Sequence, residues 1–158
     1  KDADVALPLA RFVEELWARA APKWARATRR KPGTSARYLL TSPAAGSACK
    51  RMFLFLRWMV RPRDGVDLGL WTFVEPKRLL IPLDTHVFRI SRNLGLTTRS
   101  TANLIAAREV TASLARLNPD DPVRYDFALS RLGILDACPS RRQESKCNAC
   151  DLYAVCQL

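Results

Sequence analysis

Apolar residues along this chain recur every three or four positions, and no segment of useful length alternates with period two, so the pattern predicts an all-α fold. Leu9, Phe12, Val13, Leu16, Trp17 and Ala20 form one stripe, a helix over 8–20 with Pro8 in its first turn. Pro22 kinks or restarts it, and Trp24 continues the stripe. A basic loop, RRKPGTS at 29–35, a short helix ARYLL and a tight turn TSPAAGS follow. From Ser47 to Arg61 the pattern is a longer helix whose wide apolar face carries Met52, Phe53, Phe55, Leu56, Met59 and Val60. Lys50, Arg57 and Arg61 share its opposite side.

After a turn and a short irregular stretch, DGVDLGLWTFV, the segment EPKRLLIPL leads into DTHVFRISRNLGL. That is a helix capped by Asp84 or Thr85 and ended by Gly95. STANLIAAREVTASLARLN reads as a Ser/Thr-capped helix with Leu104, Ile105, Val110 and Leu114 on its stripe and a stop at Asn118-Pro119, and DDPVRYDFALSRLGIL as another capped helix. Two helical lobes are expected, 1–80 and 81–158.

Lys plus Arg total 26 against 15 Asp plus Glu, a net charge of +11, which favours a polyanionic partner through phosphate neutralisation and counterion release. Hydrophobic residues make up 48%, too many for a disordered chain. No apolar run reaches bilayer length. The amphipathic, acidic start KDADVALPLARFVEEL is unlike a secretion signal, and with no initiator Met the sequence reads as beginning inside a longer protein.

Five cysteines without a secretion signal argue for a metal or cluster site over a disulfide framework. Four of them stand in the tail as Cys138-x8-Cys147-x2-Cys150-x5-Cys156. Thiolates are soft ligands for zinc or iron–sulfur clusters. A structural zinc site of four cysteines sets two tight pairs well apart, whereas here all four lie in one loop with a single tight pair. The spacing ranks a [4Fe–4S] cluster first, zinc second and free thiols third. Cys49 reads as a small buried apolar residue. Arg141, Arg142 and Lys146 lie between the first two tail cysteines, where a closed loop would fix them as a phosphate-binding array.

These residues carry a resemblance. The tail is similar to the Cys-x6-Cys-x2-Cys-x5-Cys loop of the endonuclease III-like helix-hairpin-helix DNA glycosylases, with the first spacing two residues longer. IPLDTHVFRISRNLGL at 81–96 resembles the family's Val-Asp-Thr-His-Val-x-Arg-Val segment. SPAAGSACKRMFLFL resembles its hairpin Leu-Pro-Gly-Val-Gly-x-Lys-Thr-Ala. Through GSACKRMFLFLRWMVR, DGVDLGLW, IPLDTH and DPVRYDFALSRLGI the likeness is greatest to a bacterial branch of that superfamily, and it covers residues 38–158.

The resemblance implies a monomeric DNA-repair enzyme of the bacterial cytoplasm, associated with the nucleoid. It would bind double-stranded DNA, flip out a damaged base and hydrolyse its N-glycosidic bond, with the cluster as a structural cofactor. Asp84 matches the catalytic carboxylate, which stabilises the positive charge that builds on the sugar. The hairpin at 43–47, through Ala45, Gly46 and Ser47, would grip a phosphate, helped by Arg51. His86 reads as a structural hydrogen-bonder. Against the family, the N-terminal helices that form much of one lobe read as missing, since too few residues precede ARYLL, and the hairpin departs in two ways. The hairpin's first Gly is Ala44. Lyase members place a Lys two residues after the second Gly, where this chain has Ala48. Lys50 lies two residues further, about 200° around a continuous helix, facing elsewhere. The expectation is a monofunctional glycosylase, with Lys50 as an amine nucleophile only from a shifted register. The alternatives are a non-catalytic iron–sulfur DNA-binding module and a zinc-held structural protein.

Overall fold

The computed structural model describes residues 3–28 and 38–158. The order of helices is α1 (Ala6–Thr28), α2 (Lys50–Val60), α3 (Thr85–Asn93), α4 (Leu104–Ala115), α5 (Asp126–Ile134) and a single turn α6 (Glu144–Cys147). Four short 3₁₀ turns join them, at Pro43–Ala45, Pro76–Arg78, Pro122–Tyr125 and Tyr153–Val155. Among the described residues there is no strand, only an isolated bridge between Ser47 and Asn103, so the all-α expectation holds. The basic loop at 29–35 lies outside the described residues, and of ARYLL only Tyr38–Leu40 is described, with Tyr38 and Leu39 helical.

Helix α1 starts earlier and ends later than its pattern suggested. The Asp4 carboxylate accepts from the Ala6 amide at 2.8 Å and sets the first turn. The helix then runs through Pro22 to Thr28 without restarting. Pro22 is exposed and gives up one backbone hydrogen bond there. Of the expected stripe Leu9 and Val13 are buried, together with Val5, Ala6 and Ala10; Leu16, Trp17 and Ala20 are only partly covered, and Phe12, 52% exposed, faces away from the core.

One buried cluster joins α1, α2, α3, α4 and the segment between α2 and α3. Its centre is the extended run Leu79–Leu83, where Leu79 and Ile81 are fully buried. The buried Ile81 amide donates to Thr111 Oγ1 at 3.0 Å, and that hydroxyl donates to the Ala107 carbonyl within α4. A run so fixed presents its next residue, Asp84, at a constant place. Asp84 is the N-cap of α3, its Oδ1 accepting from the Val87 amide at 2.7 Å. Helix α3 ends at Asn93, and Gly95 follows with φ 67. Helix α4 is capped by Asn103, not by the expected Ser or Thr; its side chain accepts from the Ala106 amide.

Helices α3 and α5 approach closely at Gly133, where an added Cβ would collide with the Cβ of His86. His86 packs against Gly133 at this crossing, and its buried Nδ1 makes no hydrogen bond. Cys49 is buried, as expected, at 2% exposure.

Candidate functional site

The hairpin begins with Ser42, whose hydroxyl accepts from the Ala44 amide at 3.2 Å. Pro43–Ala45 form the turn, and Gly46 follows at φ 75, left-handed backbone that favours glycine. The Ala45 amide donates to the Ser42 carbonyl and the Gly46 amide to the Pro43 carbonyl. These amides are therefore spent inside the turn, and the Ser47 hydroxyl is occupied by the Cys49 amide at 3.2 Å. Ala45 and Gly46 remain exposed on the surface. The Leu104 amide donates to the Gly46 carbonyl at 2.9 Å, which ties the turn to the start of α4.

The expected helix from Ser47 does not form. Cys49 adopts left-handed backbone, φ 42, and α2 begins only at Lys50, without a side-chain cap. Ala48 lies outside the helix, so Lys50 is not turned about 200° away from it as it would be on one continuous helix. Lys50 stands at the first helical position and its Nζ lies 3.5 Å from Asp84 Oδ2. The Asp84 side chain is 17% exposed and that of Lys50 49%. Lys50 borders a cavity of about 360 Å³ with Tyr38, Leu39, Thr41, Ser47, Arg51 and Ala102. The two residues singled out for catalysis are thus brought together, one by a helix start and the other by a helix cap.

Arg57 and Arg61 continue the stripe of Lys50 along α2, but inward. Arg57 is 2% and Arg61 7% exposed, although both lie opposite the apolar face read from the sequence. Arg57 pairs with Asp126 at 2.7 Å and with Asp67 at 3.1 Å. Arg61 pairs with Asp67, with Asp64 at 3.0 Å and with Asp121 at 2.9 Å. The stripe is buried because acids from the 64–67 loop, the approach to α5 and α5 itself supply it with counter-charges. Sequence reasoning missed this network; its only trace was a row of Asp at 64, 67, 121 and 126 with no other assigned task.

Burial pushes the Asp126 carboxyl up to about 6, with Arg57 pulling against it and the charges of Asp84 and Asp67 adding to it. A folded-state value above the unfolded one means that the stabilisation is fully present at low pH and is lost as pH rises through about 6. This group should therefore add roughly 2 kcal/mol of stability on going from pH 7 to pH 4.5. Asp64, held down to about 2 by the Asp67 and Val66 amides, acts in the opposite sense and only below that window. Urea unfolding at pH 7 and pH 4.5 should give the wild type a gain that Asp126→Asn lacks; the same gain in both would refute the assignment.

In the tail, Cys138 is held by α3. Arg89 donates to the Cys138 carbonyl at 2.8 Å and to the Pro139 carbonyl, and its Nη1 lies 3.8 Å from the Cys138 sulfur. The Gln157 amide closes the tail onto the Asn93 carbonyl at 2.6 Å. All four tail cysteines are unpaired and half-buried. Cys147 and Cys156 line one cavity of about 270 Å³, whereas Cys150 lines another of about 370 Å³. Among the described residues no three His, Cys, Asp or Glu side chains gather closely enough to hold a metal ion. The donors thus fit a thiophilic group in number and softness, and the loop as folded is not drawn around one.

The basic loop residues do not form a free array. Arg142 lies over the Tyr153 ring at 5.3 Å and donates to its hydroxyl, and Lys146 binds the Asp136 carboxylate and carbonyl. Arg141 is exposed. Arg51 is exposed and donates to the Tyr38 carbonyl at 3.3 Å.

Fold and site together define a helical protein with a lysine–aspartate pair at the meeting of two helix N-termini. The family described as Protein of unknown function (DUF2400) matches residues 3–135, and the chain belongs to that family. No curated protein and no solved structure matches the chain. No helix among the described residues is long and apolar enough to cross a membrane.

Proposed function

We propose that this chain is a helix-hairpin-helix DNA glycosylase that excises a damaged base and uses Lys50 as its amine nucleophile, with Asp84 as the carboxylate beneath the reacting sugar. The observation that carries the reading is the 3.5 Å approach of Lys50 Nζ to Asp84 Oδ2 beside an open cavity. It favours amine attack over the monofunctional alternative. Lys50 must lose its proton before it reacts. Its lone pair then bonds to C1′ of the damaged nucleotide, the C1′–N bond breaks, and the bond's electrons leave with the base, which takes up a proton. Asp84 stabilises the positive charge that the sugar develops. The C1′–O4′ bond then breaks, O4′ takes up the proton that the Lys50 nitrogen sheds, and an imine between Lys50 and C1′ remains; loss of a C2′ proton to water expels the 3′-phosphate and nicks the strand. The net charge of +11 favours a DNA partner, with Arg51 and Arg141 as exposed cations for phosphates. The activity belongs with the chromosome in a bacterial cytoplasm.

Cys138, Cys147, Cys150 and Cys156 are proposed to hold a [4Fe–4S] cluster, with zinc as the alternative. The role of the group would be to cross-link the tail, and none of the bond-breaking depends on it. Anaerobically purified protein should absorb near ~400 nm and contain iron and sulfide in comparable amounts. Cys147→Ser should lose most of both and expose the tail to proteolysis; undiminished iron in that variant rejects the ligand assignment.

The function itself is tested with duplexes carrying different lesions, scored separately for base release and strand nicking, with borohydride added to reduce any imine to a stable cross-link. Release plus a cross-link supports the reading. Release alone returns the monofunctional enzyme, and neither on any lesion refutes glycosylase activity.

A further inference from the structure

The lip of the Lys50 cavity carries an aromatic ring for which the chemistry described so far has no use. Tyr38 is 62% exposed. It lines the 360 Å³ cavity with Lys50 and also a second cavity of about 500 Å³ with Trp17, Thr41 and Ser47, so the ring stands on the ridge between two hollows. The Arg51 guanidinium lies 4.8 Å from its centroid and also donates to the Tyr38 carbonyl at 3.3 Å. Ring and guanidinium are therefore held as one pair, close to the place where a nucleotide's sugar must come to meet Lys50.

A fixed aromatic ring beside a guanidinium is a surface on which nucleobases stack without sequence preference, because every base has a π-face. A base within an intact duplex is already stacked on its neighbours and gains nothing from such a surface. A base without a pairing partner loses little on leaving the stack and gains the ring. The preference therefore falls on unpaired bases as a class, not on one lesion.

From these contacts we infer that Tyr38, backed by Arg51, is a stacking platform for an extrahelical base, and that the protein selects DNA in which the target base is already unpaired. The inference rests on the DNA-binding reading above and adds to it a substrate class and a residue. Arg51 supplies charge as well as backing, so its removal affects all DNA; Tyr38 affects only the stacked base.

The test is fluorescence anisotropy on the full chain with two labelled duplexes, one fully paired and one identical except for a single bulged adenine. Wild type should bind the bulged duplex at least about fivefold more tightly, the lower end of what a base–aromatic stack is worth. Tyr38→Ala should abolish that preference and leave affinity for the paired duplex unchanged, and Tyr38→Phe should retain it. An equal preference in Tyr38→Ala overturns the inference. So does an equal loss on both duplexes, which would make Tyr38 a general contact. No preference in the wild type overturns it while leaving DNA binding intact. Binding to neither duplex instead removes the DNA reading on which it rests.

Discussion

Lys50→Ala should eliminate the borohydride-dependent cross-link to DNA and slow strand nicking by roughly 10³-fold or more, because it removes the atom that bonds to the sugar. Lys50 carries 49% side-chain exposure at the start of a helix, so its loss leaves the fold intact and the effect is chemical. Asp84→Asn separates the two roles of Asp84. Asparagine caps a helix about as well as aspartate and can still accept from the Val87 amide, so α3 should keep its start and thermal stability should barely move. What disappears is the charge 3.5 Å from Lys50, and base release should fall roughly 10²–10³-fold, as when one transition-state electrostatic partner is removed. DNA affinity in both variants should match wild type. Full base release in Lys50→Ala, with nicking lost, would assign excision to water and return the monofunctional enzyme. A cross-link that survives in Lys50→Ala would put the nucleophile elsewhere.

This pair shows where the sequence was legible and where it was not. Helix α3 and its cap could be read because the signals are local: Asp84 precedes a run whose apolar residues repeat at helical spacing, and the cap bond spans three residues. The start of α2 could not be read. A periodic pattern runs through Ser47 and Ala48, yet Ser47 bridges to Asn103 and Cys49 takes left-handed backbone, a conformation that no cysteine advertises. The cost of placing a non-glycine residue there is offset by tertiary contacts, among them the Cys49 sulfur against the Thr41 carbonyl at 3.3 Å. That break moved Lys50 from the wrong face to the right one. The tail divides similarly. Cysteine number and spacing are visible in the sequence, but the anchoring of Cys138 by Arg89 spans 49 residues, and the pairing of Lys146 with Asp136 was concealed by treating the loop's cations as free.

The other long-range feature, the buried stripe of α2, carries the largest expected stability effect. Arg57→Leu should destabilise the protein by about 3–5 kcal/mol, because it leaves Asp126 and Asp67 buried without the guanidinium that bridges them. For a chain of this size that is a fall of roughly 6–20 °C in Tm. It would consume much of the ~5–15 kcal/mol that holds an ordinary domain folded. The penalty comes from stranded charge, and it should therefore shrink when the charge is also removed. Arg57→Leu combined with Asp126→Leu should be more stable than Arg57→Leu alone, since Asp67 keeps Arg61 and two apolar side chains now face each other. Desolvation explains why this can happen: a buried pair recovers in mutual attraction little more than it loses in hydration, whereas a buried single charge recovers nothing. Urea denaturation of wild type, both single variants and the double variant closes the cycle. If Arg57→Leu costs under about 1 kcal/mol, or if the two losses simply add, then α2 is held by its apolar face alone. The acids around Arg57 and Arg61 would then have no part in fixing the helix that presents Lys50.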